Sequence, residues 1–160
     1  MEKKPIQRNE HIVSLSKDHH ATLLFCWKIR TGLKHEVDVD RMLKYVQYFW
    51  QQHQQLHFLE EETILFAPLV DDKVQRALDE HIQIQEKIQA LRTAEDVVKL
   101  QLTSLAEFVY AHVRYEEREL FPNLEQVLTN EQLENIGKQL SEKHSTSKDD
   151  FADLFWLNKK

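Results

Sequence analysis

Glycine and proline are nearly missing from this chain, with two and three occurrences in 160 residues. Tight turns are therefore few. The abundance of Leu, Glu, Gln, Lys and Ala favours long helices. The one cysteine, Cys26, excludes an internal disulfide. The opening MEKKPIQRNE has no apolar core, so no signal peptide is expected. No apolar run approaches the length of a membrane span, and a cytoplasmic location is the expectation. Basic clusters are also missing: the net charge is -6 and Lys/Arg are scattered, which argues against nucleic acid as a partner. There is no HExxH, paired-cysteine, Walker or G-x-S-x-G motif. No Glu-x-x-His pair falls on a helix seam, which disfavours a ferritin-like carboxylate bundle. Nucleophilic catalysis would have to rest on Cys26, whose default reading is a small buried hydrophobe.

What the chain does have is nine histidines and a strong helical periodicity. Helix 1 is expected from about Ile12 to Leu33, with Ile12, Leu15, His19, Leu23, Cys26 and Leu33 on its seam and Gly32 near its end. Asp38 or Asp40 caps helix 2, whose seam reads Leu43, Val46, Trp50, His53, His57, Glu61, Ile64 and which closes at Ala67-Pro68. Helix 3 starts near Asp71 or Asp72, with Val74, Ala77, His81, Gln85, Ile88 and Leu91 on one face. Thr93 with Asp96 resembles a capping box for helix 4, with Val98, Leu102, Leu105, Val109, His112, Glu116 and Leu120 on its seam. Pro122 is expected to bend or end that helix. A shorter helix follows the Thr129/Gln132 box and runs to about His144. The tail is read as a strap that packs Phe151, Phe155 or Trp156 on the helices. The predicted fold is all-α: an up-down antiparallel four-helix bundle over about residues 10–128, with a short C-terminal helix and tail over 129–160, in a single domain.

Two stretches match each other. One reads HFLEEETILFAPL from His57, the other HVRYEERELFPNL from His112. In each, a Glu four residues after the His shares its helix face. Such a pair can offer an imidazole and a carboxylate to one ion or to neighbouring ions. His19 and His81 lie on the seams of the other two helices. Antiparallel packing brings His19 level with His57, and His81 level with His112. Six buried polar groups without partners would cost about 1–3 kcal/mol each, a sum comparable to the whole stability of a domain, about 5–15 kcal/mol. A metal site satisfies them together. His20 competes with His19 for the helix 1 position, although His19 shares the register of Leu15 and Leu23. His53 could be an added ligand or a hydrogen-bond donor to one, but its default reading is a packed or hydrogen-bonded histidine, and Glu62 and Glu117 are alternatives to Glu61 and Glu116. Glu60 reads as solvated. His11, His35 and His144 read as surface residues, Trp27 and Trp50 as core or interface.

The DHH at Asp18–His20, HFLEE at His57, EH at Glu80–His81 and HVRYEERELFP at His112 together resemble the hemerythrin-like HHE cation-binding domains. The resemblance spans about residues 10–128. It implies a non-haem di-iron centre, bridged by carboxylates and by an oxo or hydroxo group, with zinc as a possible substitute. By position, His19 and His57 would serve one iron and His81 and His112 the other, with Glu61 and Glu116 bridging. Oxygen carriers of the family place a second histidine one turn from the first on helix 3, where this chain has Ala77 and Gln85. The pattern is closer to members with four histidines and two glutamates, among them iron sensors and bacterial proteins linked to nitric oxide and iron–sulfur cluster repair. The expected function is a binding module that engages O2, NO or a peroxide, or senses iron or redox state. The alternative is an enzyme that reduces NO or peroxide, or repairs clusters by donating iron.

Overall fold

A computed structural model describes residues 8–144 and 149–157. Among them the regular structure is entirely helical, as expected for a helical bundle. Helix α1 spans Val13–Lys34. A second rod is continuous through α2 (Val39–Phe49), a π-helical turn (Trp50–Gln54), α3 (Gln55–Glu60) and another π-helical turn (Glu61–Leu65). Helix α4 is Asp72–Gln89. A third long rod comprises α5 (Glu95–Tyr115), a π-helical turn (Glu116–Leu120) and α6 (Phe121–Val127). Helix α7, Asn130–Lys143, and a single 3-10 turn at Phe155–Leu157 complete the order.

The starts of these helices follow from side-chain chemistry. The carboxylate of Asp38 accepts from Asp40 N at 3.0 Å, and that of Asp71 from Val74 N at 2.8 Å. Thr129 and Gln132 form the expected reciprocal box at α7. The box expected at Thr93/Asp96 does not form: α5 starts after Ala94 without a side-chain cap. Instead the Gln101 amide closes that turn, donating to Ala90 O and accepting from Arg92 N, both at 2.8 Å.

The π turns correct two further expectations. In each, a carbonyl (Trp50, Glu61 or Glu116) accepts from the amide five residues on, so one residue is inserted into the helical register. The turn at Trp50–Gln54 shifts the buried seam of α2 to Met42, Tyr45, Val46 and Phe49, leaving Leu43 and Trp50 only partly covered. The turn at Glu116–Leu120 explains why Pro122 does not end its rod. The proline brings no N–H to this widened ladder, and the Glu117 carbonyl accepts instead from the Arg8 guanidinium at 2.8 Å. One smaller seam correction concerns α4, where Ile84 rather than Gln85 is buried, and Trp27, read as core or interface, is half exposed on α1 and so is not core.

The apolar interior forms two separate clusters. One gathers Phe25, Ile29, Met42, Phe49, Ile84, Leu102 and Val109 with Phe155 of the tail. The other gathers Leu15, Leu65, Ala77, Leu120, Phe121 and Leu124 with Leu133, Ile136 and Leu140 of α7. The tail does act as a strap. Asp149 accepts from Lys28 Nζ at 2.9 Å and from the Tyr45 hydroxyl, and the Lys28 ammonium lies 4.0 Å from the centre of the Trp156 ring. Gly32 permits the approach of this strap. A Cβ there would lie 2.7 Å from Met42 Sδ and 2.9 Å from Phe155 Cε1. The two dry clusters leave one polar layer between them.

Candidate metal centre

The buried polar residues of that layer are His19 on α1, His57 and Glu61 on the second rod, His81 on α4, and His112 and Glu116 on the third rod. All six are less than 5% exposed. The π turns begin at the two glutamates, one helical turn after His57 and His112, so both repeats present their His and Glu inward in the same way.

The donors form two overlapping groups of four: His19, His57, Glu61 and Glu116, and then Glu61, His81, His112 and Glu116. Glu61 turns Oε2 toward His57 Nε2 (3.2 Å) and His19 Nε2 (3.5 Å), and Oε1 toward His81 Nε2 (3.2 Å). Glu116 turns Oε1 toward His19 Nε2 (2.8 Å), and Oε2 toward His81 and His112 Nε2 (both 3.3 Å). Each carboxylate thus offers one oxygen to each histidine pair. Donors about 2.0–2.2 Å from a shared ion lie roughly 3 Å apart, so the spacing fits a cation in each group. His57 Nε2, His112 Nε2 and both oxygens of Glu61 are buried yet make no hydrogen bond of acceptable geometry. Orphaned atoms of this kind are costly unless a further partner takes them up, and imidazole and carboxylate donors suit first-row cations.

The Nδ1 atoms face outward, each to a carboxylate on a neighbouring rod. Asp18 takes His57 (3.1 Å), Glu62 takes His81 (2.7 Å), Glu80 takes His112 (2.7 Å) and Glu117 takes His19 (2.7 Å). The circle closes on itself. A carboxylate accepts, so Nδ1 carries the hydrogen and the Nε2 lone pair of the neutral ring points inward, the orientation that metal-binding histidines need.

The electrostatics follow from this packing. Burial disfavours the charged imidazoles, but the surrounding carboxylates outweigh it. His19 and His81 are raised well above the ordinary value, His112 is raised, and His57 reaches about 9. Burial likewise works against ionised Glu61 and Glu116, and the histidines facing them hold both below the usual carboxylate range. Either protons or cations can balance this layer, and the two compete.

The placement of the remaining sequence candidates is plain. His20 is exposed and His19 faces inward. His53 belongs to neither donor group and stacks on Phe49, ring centres 5.2 Å apart. Glu62 and Glu117 are outer acids and do not lie between the histidine pairs. Cys26 is buried, which pushes its thiol up to about 12 and leaves it inert. Glu60 and His144, expected at the surface, are half-buried and paired. The His144 ring faces Glu60 through Nδ1 (2.8 Å) and Asp18 through Nε2 (3.5 Å). With both nitrogens so engaged, His144 reads as a brace between two acids. His11 is also half-buried, its ring against Gly137.

The outer circle carries a sequence signal of its own: each outer acid adjoins an inner residue, as Asp18-His19, Glu80-His81, Glu61-Glu62 and Glu116-Glu117. His144 has no such signal. Its part depends on where α7 folds back.

No helix among the described residues is long and apolar enough to cross a membrane. Neither curated proteins nor solved structures give a match. The family model for the hemerythrin HHE cation binding domain matches residues 10–124. That span holds all six inner residues and all four outer acids, and the chain belongs to the hemerythrin HHE cation-binding domain family.

Proposed function

We propose that the polar layer is a two-ion, non-haem iron centre within an up-down antiparallel bundle. In this reading His19 and His57 serve one iron, His81 and His112 the other, and Glu61 and Glu116 bridge them. The observation that carries it is the division of each carboxylate, one oxygen toward each histidine pair. Bound iron would supply one-electron redox change and open positions for a small ligand. The chain's own residues fix the rings through the outer acids, exclude bulk water with the two dry clusters, and neutralise ionic charge with two buried carboxylates.

Four protein donors per ion would leave coordination open to a small ligand. Ala77, fully buried one turn before His81, adds no donor. The ligand we infer is therefore small: O2, NO or a peroxide, engaged at the centre or read as iron or redox state. The test is metal analysis with the visible spectrum of protein purified anaerobically from iron-supplemented cells. About two irons per chain, with a spectrum that changes on adding oxygen or nitric oxide, is the expected result. One tightly held zinc with no iron, and no response after iron reconstitution, would overturn it.

A further inference from the structure

The four outer acids are not equivalent. Glu117 is held from behind by Ser16 Oγ at 2.7 Å and by Arg8 Nη2 at 3.2 Å. Glu80 is held by Arg76 Nε at 3.0 Å, and Asp18 faces His144 at 3.5 Å. Glu62 has, among the described residues, no partner other than His81. Its side chain is also the most open, 39% exposed against 24% for Asp18, 22% for Glu117 and 15% for Glu80.

Cavities repeat the asymmetry. A small cavity of about 40 Å³ reaches His57, but Asp18, Glu60 and His144, tied to one another, stand in its wall. A larger one of about 290 Å³ opens between α3 and α4 and is lined by His81 itself, with Glu62, Gln85, Phe58, Leu59 and Ile82. No lysine or arginine lines it, so nothing there repels a cation. Along the rods the two dry clusters close off the layer, and a hydrated ion does not cross dry packing.

We propose that metal ions enter and leave the centre through the Glu62–His81 edge, with Glu62 receiving the hydrated cation and His81 turning aside as the ion passes inward. Glu62 thus has two tasks: it attracts the ion at the mouth, and it holds His81 in place once the ion is seated. The three braced acids do only the second. The proposal rests on the metal-centre reading above and goes further by assigning a direction of access.

The test follows cobalt(II) chloride uptake by the metal-free full-length protein, through its visible absorption, and release to excess EDTA. Glu62→Gln keeps an acceptor for His81 but removes the charge. Ile82→Trp narrows the mouth without touching any donor. Both should slow uptake at least about tenfold at low salt. Release should slow alongside in Ile82→Trp, with final occupancy unchanged. Glu80→Gln, the matching change at a braced acid, should lower affinity and leave the uptake rate near wild type. A wild-type protein that binds cobalt while Glu62→Gln and Ile82→Trp load and unload at its rate would overturn the route alone. A wild-type protein that binds no cobalt would remove the centre and the route together.

Discussion

The two repeated segments make the same inner site and opposite outer surroundings. His57 with Glu61, and His112 with Glu116, are superposable in role: same spacing, same π turn, same burial. One residue on, Glu62 and Glu117 each hold a histidine of the next rod at 2.7 Å. Behind Glu117 lies Arg8, its side chain 3% exposed, also bound to Glu125 at 2.8 Å. Behind Glu62 lie a cavity and solvent. On the metal-centre proposal, both repeats carry the inner donors that a cation requires. The outer shell depends on what packs outside, and it differs because Arg8 and Ser16 pack behind Glu117 while a cavity lies behind Glu62.

The largest expected effect tests the shared half of this comparison. Glu61→Ala and Glu116→Ala should each abolish paired-ion binding and the rise in melting temperature that metal brings. For a ligand at about a thousand times its dissociation constant, that rise corresponds to about 4 kcal/mol. Elemental analysis and thermal melts with and without metal check it, and His35→Ala should change neither. If only one of the two glutamates mattered, the equivalence of the repeats would fail.

The next effect is the pH dependence of the layer. His57 in the metal-free protein stands at about 9, against an ordinary 6.5. A raised histidine stabilises the fold fully below the unfolded value and loses that contribution as pH rises through the folded one. Metal-free protein should therefore lose stability between about pH 6.5 and 9, by a few kcal/mol. Metal-loaded protein should show the opposite slope in its metal-dependent stabilisation, because protons compete with the ion and binding tightens as pH rises. Parallel denaturant melts of both forms across this range would show the curves converging at low pH. Parallel slopes would mean that the histidines do not exchange protons for metal.

The third effect separates the two outer acids. Glu117→Ala removes a partner of a buried guanidinium and should cost about 1–3 kcal/mol in the metal-free protein. Glu62→Ala strands only His81 Nδ1 and should cost about 1 kcal/mol, less than Glu117→Ala, which strands both His19 Nδ1 and the Arg8 guanidinium. Chemical denaturation of the two variants is enough. Equal costs would show that the Arg8 side carries no more load than the open side.

Much of this was legible in the sequence because the inner residues obey short-range rules. His57 with Glu61 and His112 with Glu116 are i, i+4 pairs, the α5 seam from Val98 to His112 is regular, and the Thr129 cap is local chemistry. What failed to show depends on register or on distant packing. The π turn at Trp50–Gln54 adds a residue that no periodic reading anticipates, which is why Leu43 and Trp50 were placed too deep. Pro122 reads as a helix end until Arg8, more than a hundred positions away, takes the Glu117 carbonyl. His144 looks like a surface residue because its partners, Glu60 and Asp18, lie on other helices.

His144 supplies the smallest effect and the sharpest one. It caps the C-terminal end of α7, beyond residues 10–124 that the family model covers, and pairs with Glu60 and Asp18. It stiffens Asp18, which orients His57. Removing a direct outer partner costs about 10–100-fold in metal affinity, so Asp18→Asn should fall in that range and His144→Ala, one step further out, below it. Rates should respond differently from affinity. His144→Ala takes a wall from the small cavity beside His57 and opens a second approach to the layer. Cobalt uptake should then be faster than wild type, and the block imposed by Ile82→Trp should be relieved in the double variant. If His144→Ala leaves that block intact, α7 merely covers the bundle. If it relieves the block, the open and closed sides of the centre are set by what stands behind each acid, with the Asp18–His57 side closed by His144 and the Glu62–His81 side left open.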